Sequence, residues 1–280
     1  MAVALPTSLS EALSALSGDP EAHLLAGGTD FMVEVNYGHR RPRSVICLNR
    51  IPELRQRVRR GDSLFFGAMT TYTDLQAADV VEAAPALAIA ARTVGSPQIR
   101  NAGTIGGNVG TGSPAGDLLP VLAALDATIH LISTTGNERV VPWNEFFLAP
   151  KRTARRSDEI LTGVTIPVRD SRQDYLKVGT RNAMVISVAG LALIVDLTQN
   201  SVACGLGSVG PVPLRAPDAE AFAHDNIDWN NTSVPDPRTY ETFANLVAAA
   251  ARPIDDHRST AEYRRQAVKV MAQRALMRLI

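Results

Sequence analysis

Residues Gln98 to Asp117, QIRNAGTIGGNVGTGSPAGD, constrain this chain more than any other stretch: they carry six glycines in twenty positions. Glycine lacks a Cβ, so such a segment admits positive φ and lets another group approach its backbone. Consecutive free amides within it form an anion-binding nest. Thr104, Asn108, Thr111 and Ser113 add side-chain hydrogen-bonding groups. A phosphate-bearing ligand fits this pattern, and so does a mobile surface loop. A second glycine loop, LLAGGTDF from Leu24 to Phe31, runs out of an apolar strand end into Gly27–Gly28 and shifts the balance toward a ligand. Neither stretch matches G-x-x-x-x-G-K-[ST] or G-x-G-x-x-G after a strand, so P-loop and Rossmann sites are disfavoured while a pyrophosphate stays open.

The chain's 280 residues suffice for about two domains. Lys plus Arg and Asp plus Glu number 28 each, which gives no global electrostatic case for nucleic acid or an anionic membrane. No apolar run reaches the ~18 residues of a membrane span, and residues 1–16 lack the basic start and apolar core of a signal peptide. Cys47 and Cys204 cannot by themselves hold an iron–sulfur cluster or a zinc ion. Flanked by apolar residues, both read as buried thiols of a cytoplasmic protein. Any redox centre in this chain is therefore an organic cofactor.

Ser8 to Ser17 reads as a helix with a capping box, Ser8 and Glu11. His23 to Ala26 is a short strand, Asp30 to Tyr37 a helix, and Ser44 to Leu48 a buried strand, an α/β lobe over about residues 1–55. Arg55 to Arg60 holds four arginines in six residues and reads as a solvated hairpin edge. Strand 64–67, helices from 73, 83–94 and 118–125, a hairpin around Thr135-Gly136-Asn137 and strand 159–166 make a second lobe, 56–170. Beyond Tyr175, strands 175–179, 188–197 and 202–208 form a meander broken by Gly210-Pro-Val-Pro. Helices 216–223, 237–251 and 261–279 pack on it.

The five histidines show no metal-ligand spacing, and there is no G-x-S-x-G elbow. His23, just before the first glycine loop, reads as a strand-end surface residue. Asp255-Asp256-His257-Arg258 reads as an ion-paired cluster at a helix start. Lys177 lies in an apolar strand, and spacing alone assigns it to the solvent face.

Five segments carry a family resemblance: LLAGGTDF at 24–31, IRNAGTIGGNVGTGSPAGDLLP at 99–120, EILTGVTIP at 159–167, YLKVGTRNAMVISVAG at 175–190 and GSVGPVPLRA at 207–216. Together they resemble the FAD-binding medium subunit of molybdenum hydroxylases, the group of carbon monoxide dehydrogenase and xanthine dehydrogenase. The DDHRSTAEYRR stretch at 255–265 also looks like that family's C-terminal segment.

The resemblance implies an α+β, two-lobed FAD-binding fold of the vanillyl-alcohol oxidase type over 1–170. A C-terminal domain of a three-stranded antiparallel sheet with helices follows over 171–280. It implies noncovalent FAD, with Leu24, Leu25, Ala26, Gly27, Gly28, Thr29, Asp30 and Phe31 in one cradle. Thr104, Ile105, Gly106, Gly107, Asn108, Thr111 and Ser113 form the other. Asp117 matches a position on a sugar hydroxyl, and Leu161 and Lys177 match positions against the flavin ring. The implied partners are a small [2Fe-2S] subunit and a large molybdopterin subunit, in a dimer of heterotrimers. Electrons would pass from the clusters through FAD to NAD or another acceptor. Two other readings stay open: a stand-alone flavin oxidoreductase and a flavin-free assembly subunit.

Overall fold

The computed structural model describes residues 2–229 and 235–280. The N-terminal sheet is parallel, with β1 (Ala2–Ala4), β2 (His23–Leu25) and β3 (Ser44–Cys47) in the order β1-β3-β2. Helix α1 (Leu9–Gly18) starts where expected, because the Ser8 hydroxyl accepts the amide of Glu11. It buries Ala12 and Leu16 against Ile46, Leu48 and Ile51. Helix α2 (Phe31–Asn36) follows β2 and buries no residue. Strand β1 was not legible in the sequence: three residues leave no room for alternation to show.

The second sheet is antiparallel in the order β4-β5-β10-β6-β7, from β4 (Arg57–Arg60), β5 (Ser63–Gly67), β6 (Thr128–Ser133), β7 (Glu138–Pro142) and β10 (Glu159–Pro167). The arginines of β4 lie on its edge, three of the four strand residues exposed. Between β5 and β6 run α3 (Ala78–Ala83), α4 (Pro85–Thr93), α5 (Pro97–Ala102), α6 (Ile105–Thr111) and α7 (Leu119–Ala124). The helix expected over 83–94 is α4; it starts two residues later, because Pro85, which supplies no amide, takes its first position, and Ala83 ends α3. Between β7 and β10 lie α8 (Trp143–Phe146) and a small hairpin of β8 (Phe147–Ala149) and β9 (Arg152–Thr153).

The second glycine stretch is not the loop its composition suggests. Three of the seven residues of α6 are glycine, each costing about 1 kcal/mol of helix propensity relative to alanine. The helix forms because Thr104 caps it and Ile105 and Val109 are fully buried. The glycines also allow contacts no other residue would: a Cβ on Gly106 would lie 2.5 Å from the Ala68 carbonyl oxygen.

The third sheet comprises β11 (Ser171–Val178), β12 (Ala189–Asp196), β13 (Ser201–Gly207) and β14 (Leu214–Arg215), antiparallel in that order. It is thus four-stranded, not three-stranded. The Gly210-Pro-Val-Pro break turns the chain back, and Leu214 and Arg215 pair with Leu206 and Gly205. Arg215 is pinned there by Glu220 at 2.7 Å and Asp126 at 2.8 Å. Helices α9 (Pro217–Asn226), α10 (Pro237–Ala250) and α11 (Ala261–Leu279) complete the chain. Every residue of β12 is buried, because α9 and α11 cover one face of this sheet while α4 and α7 cover the other; α10 packs outside α9 and α11. Among the described residues no helix is long and apolar enough to cross a membrane, and no His/Cys/Asp/Glu group could hold a metal ion.

Candidate functional site

A cavity of about 470 Å³ opens between the first two sheets, within the roughly 300–1,000 Å³ of small-molecule sites. The run Leu24 to Phe31 lines it entirely. The backbone amides of Ala26, Gly27, Gly28, Thr29 and Asp30 find no acceptor among the described residues. These residues are half-exposed to exposed, and successive free amides in a cavity wall form a nest that suits an anion. Gly28 holds φ +73°, the left-handed region. Gly27 lies flat on the end of α5, where a Cβ would fall 1.7 Å from the Ala102 carbonyl oxygen. The two glycine segments therefore touch backbone to backbone.

The second segment contributes differently than its glycines suggest. The amides at the start of α6 are all used: Ile105 donates to Thr70 at 2.9 Å, Gly106 to Ala68 at 2.9 Å, and Gly107 and Asn108 to Thr104 at 3.0 Å. Thr104, Gly106, Gly107, Asn108 and Thr111 form a wall of the cavity, and Leu161 stands on another. The buried Oδ1 of Asn108 has no hydrogen-bond partner. Beside it, burial pushes the Tyr72 phenol well up, reinforced by the carboxylates of Asp117 and Asp30.

Four expected site residues lie outside the lining. Ile105 is fully buried in the core of the second lobe. The Ser113 hydroxyl accepts the Ala115 amide within its own turn. Asp117 and Lys177 pair with each other at 2.6 Å, each side chain only 8% exposed. Tyr175 donates its hydroxyl to Asp117 at 3.0 Å, and Lys177 also reaches the Thr93 carbonyl at 3.2 Å. Burial pushes the Asp117 carboxyl up, opposed by Lys177 and Tyr175. The solvent-face position expected of Lys177 from spacing is thus overturned: its strand is covered by α4 rather than by water.

The cavity has further members: His23, which the sequence places beside the first glycine loop, and charged residues that local sequence did not single out. His23 lines it, edge-on to the Phe31 ring at 5.7 Å and 3.5 Å from Arg40. Burial, then Arg40, lowers its pKa. Arg40 and Lys151 share the Glu34 carboxylate at 2.8 and 2.7 Å, and Lys151 foremost holds that carboxyl below its usual range. Arg152 and Arg155 line the same space. The basic run from Lys151 to Arg156 is visible in the sequence, but Lys151 meets Glu34 across 117 positions, and nothing local announces that.

Comparison with known proteins places this arrangement. Residues 1–169 match the FAD binding domain in molybdopterin dehydrogenase, and residues 174–279 match the CO dehydrogenase flavoprotein C-terminal domain. The chain is 33% identical over 272 residues to the glyceraldehyde dehydrogenase medium chain of Sulfolobus acidocaldarius, covering 96% of this chain and 94% of that one. It is 30% identical over 277 residues to the xanthine dehydrogenase FAD-binding subunit of Escherichia coli, covering 96% and 92%. The structure superposes with a TM-score of 0.89 on a chain of carbon monoxide dehydrogenase from Hydrogenophaga pseudoflava, at 30% identity and covering 99% and 96% of the two chains. With a cavity lined by both glycine segments and matches spanning both parts of the chain, this protein belongs to the FAD-binding medium-subunit family of the molybdenum-containing dehydrogenases, as an oxidoreductase subunit.

Proposed function

We propose that this chain holds FAD noncovalently and serves as the electron-transfer subunit of a molybdenum hydroxylase. In that role it receives electrons from the [2Fe-2S] clusters of a small partner subunit and hands them to NAD or another acceptor. Substrate is hydroxylated in a large molybdopterin subunit, and the assembly is a dimer of heterotrimers in the cytoplasm. The two free cysteines accord with that compartment. The domain plan is a vanillyl-alcohol oxidase type fold over 1–170, with lobes 1–55 and 56–170, followed by the C-terminal domain 171–280.

One observation carries this reading: the unpaired amides of Ala26 to Asp30 facing the cavity. FAD supplies the redox chemistry when bound, since no side chain here is a redox centre. The chain's own residues do the holding. The first-loop amides donate to the diphosphate, and the orphaned Asn108 Oδ1 accepts from a ligand hydroxyl or amine. The glycines of both segments keep these groups within reach, and Leu161, Met69 and Leu48 exclude water from one wall. Direct contact of Asp117 with a sugar hydroxyl, or of Lys177 with the flavin ring, requires their ion pair to open. In the closed pair Asp117 acts through its charge on Tyr72.

The test is a visible spectrum of the purified chain before and after acid precipitation. Oxidised-flavin bands that move into the supernatant as FAD are the expected result. Flavin left in the pellet would refute noncovalent attachment. A chain that stays colourless after incubation with FAD would refute the reading as a whole.

A further inference from the structure

The cavity carries more positive charge than the protein compensates. Arg40, Lys151, Arg152 and Arg155 line it, against the carboxylates of Asp30 and Glu34. Glu34 is already shared by Arg40 and Lys151. The Asp30 carboxyl is pushed up by burial, with Lys151 opposing.

Two of these cations pair with no carboxylate, Arg152, which is exposed, and Arg155, which is half-buried and held in place. Nη1 of Arg155 donates to the carbonyls of Arg156 at 2.9 Å and Glu159 at 2.7 Å, so its guanidinium meets main-chain oxygens rather than a carboxylate. The Glu159 carboxylate is nearby but occupied: Arg139 takes both of its oxygens at 2.7 and 2.9 Å, and the Arg156 amide takes one again at 2.7 Å. Glu159 first, and then Asp158, act on Arg155 by charge without a direct hydrogen bond from its guanidinium to either carboxylate. Nε and Nη2 of Arg155 make no hydrogen bond among the described residues, and they are not sealed from solvent. A half-buried guanidinium with free donors in a cavity wall is available to an anionic ligand. The fork geometry of arginine suits phosphate oxygens in particular.

We infer that Arg155 is a ligand-binding residue that places its guanidinium against the diphosphate of the bound dinucleotide, opposite the amides of Ala26 to Asp30. This rests on the FAD reading above, because the diphosphate is the dianionic part of that ligand. The excess of two cationic side chains over carboxylates in the lining matches a dianion. The alternative for Arg155 is a purely structural arginine that ties the turn from Arg156 to Glu159.

The experiment titrates the full chain, freed of flavin, with FAD, ADP and adenosine by calorimetry at low and high salt. The variants are Arg155→Gln, Arg155→Lys and, as a remote charge control on the β4 edge, Arg59→Gln. The expected result is that Arg155→Gln weakens FAD and ADP roughly 10- to 100-fold, the range for a charge-assisted hydrogen bond. Adenosine, which lacks the diphosphate, keeps its affinity. Arg155→Lys, which keeps the charge but loses the fork, recovers only part of the lost ADP affinity, Arg59→Gln changes nothing, and ADP binding to the wild type weakens with salt. Unchanged ADP affinity in Arg155→Gln overturns the inference while leaving the FAD reading intact. Equal losses in a folded Arg155→Lys overturn it too, as does salt-independent ADP binding by the wild type if Arg155→Gln fails to fold. Wild-type protein that binds no FAD overturns both.

Discussion

Asp117 and Lys177 meet across sixty positions of sequence and are as buried as core residues. Removing one partner of a buried ion pair leaves the other uncompensated and typically costs about 3–5 kcal/mol, although the intact pair can contribute little net stability. Lys177→Met and Asp117→Asn are each expected to lower urea stability by about that much. The double variant should cost less than the two losses added, by about 1–3 kcal/mol of coupling. Strict additivity would show that the pair is not an energetic unit. The sequence displayed both residues but could not display this pairing. Lys177 alternates as a strand residue should, and only the cover provided by α4 turns its apparent solvent side into an interior one. His23 illustrates the same limit: its place before the glycine loop was evident, but its exposure was not, because Phe31 and Arg40 close around it from the far side of that loop.

Among the elements, α6 and the first glycine loop separate two uses of glycine. Gly27→Ala drives a Cβ into the Ala102 carbonyl oxygen, a backbone atom that cannot yield without moving α5. The expected outcome is a folded but destabilised chain whose FAD affinity falls at least about tenfold, since the loop bearing the free amides must shift. At Gly110 a Cβ meets nothing within 4 Å. There Gly110→Ala should stabilise the flavin-free chain by up to about 1 kcal/mol through helix propensity. Urea titration of the flavin-free forms and flavin fluorescence titration of each variant check this contrast. Equal FAD affinity in Gly27→Ala and the wild type would remove the backbone contact between the two segments from the account of the site. Composition made the glycine segments legible as a site. It did not tell which of them was helix, because propensity argued against α6 while capping by Thr104 and burial of Ile105 and Val109 decided for it.

At the scale of the whole molecule, the third sheet is an interior layer between α9 and α11 on one side and α4 and α7 on the other. Strand β13 runs so close to α7 that a Cβ on Gly205 would fall 1.8 Å from the Pro120 carbonyl oxygen. Two parts that share such a face unfold together. The flavin-free chain should give one calorimetric transition, and Gly205→Val should lower its midpoint by several degrees or divide it in two. A wild-type chain with two resolved transitions would show that the parts are energetically independent despite the shared layer.

Local pattern alone determined most helices and the longer strands, the helix start at Ser8 and the hairpin around Gly136, and it marked the two glycine segments that line one cavity. Each of these is written in residues close together in the chain. The tertiary structure decided which glycine segment keeps its amides free, that Asp117 and Lys177 pair behind the cavity, that a fourth strand joins the third sheet, and that Lys151 to Arg155 face the first loop. Those features depend on burial and on partners tens to more than a hundred positions away, and the same residues would read identically in a chain that folded them toward solvent.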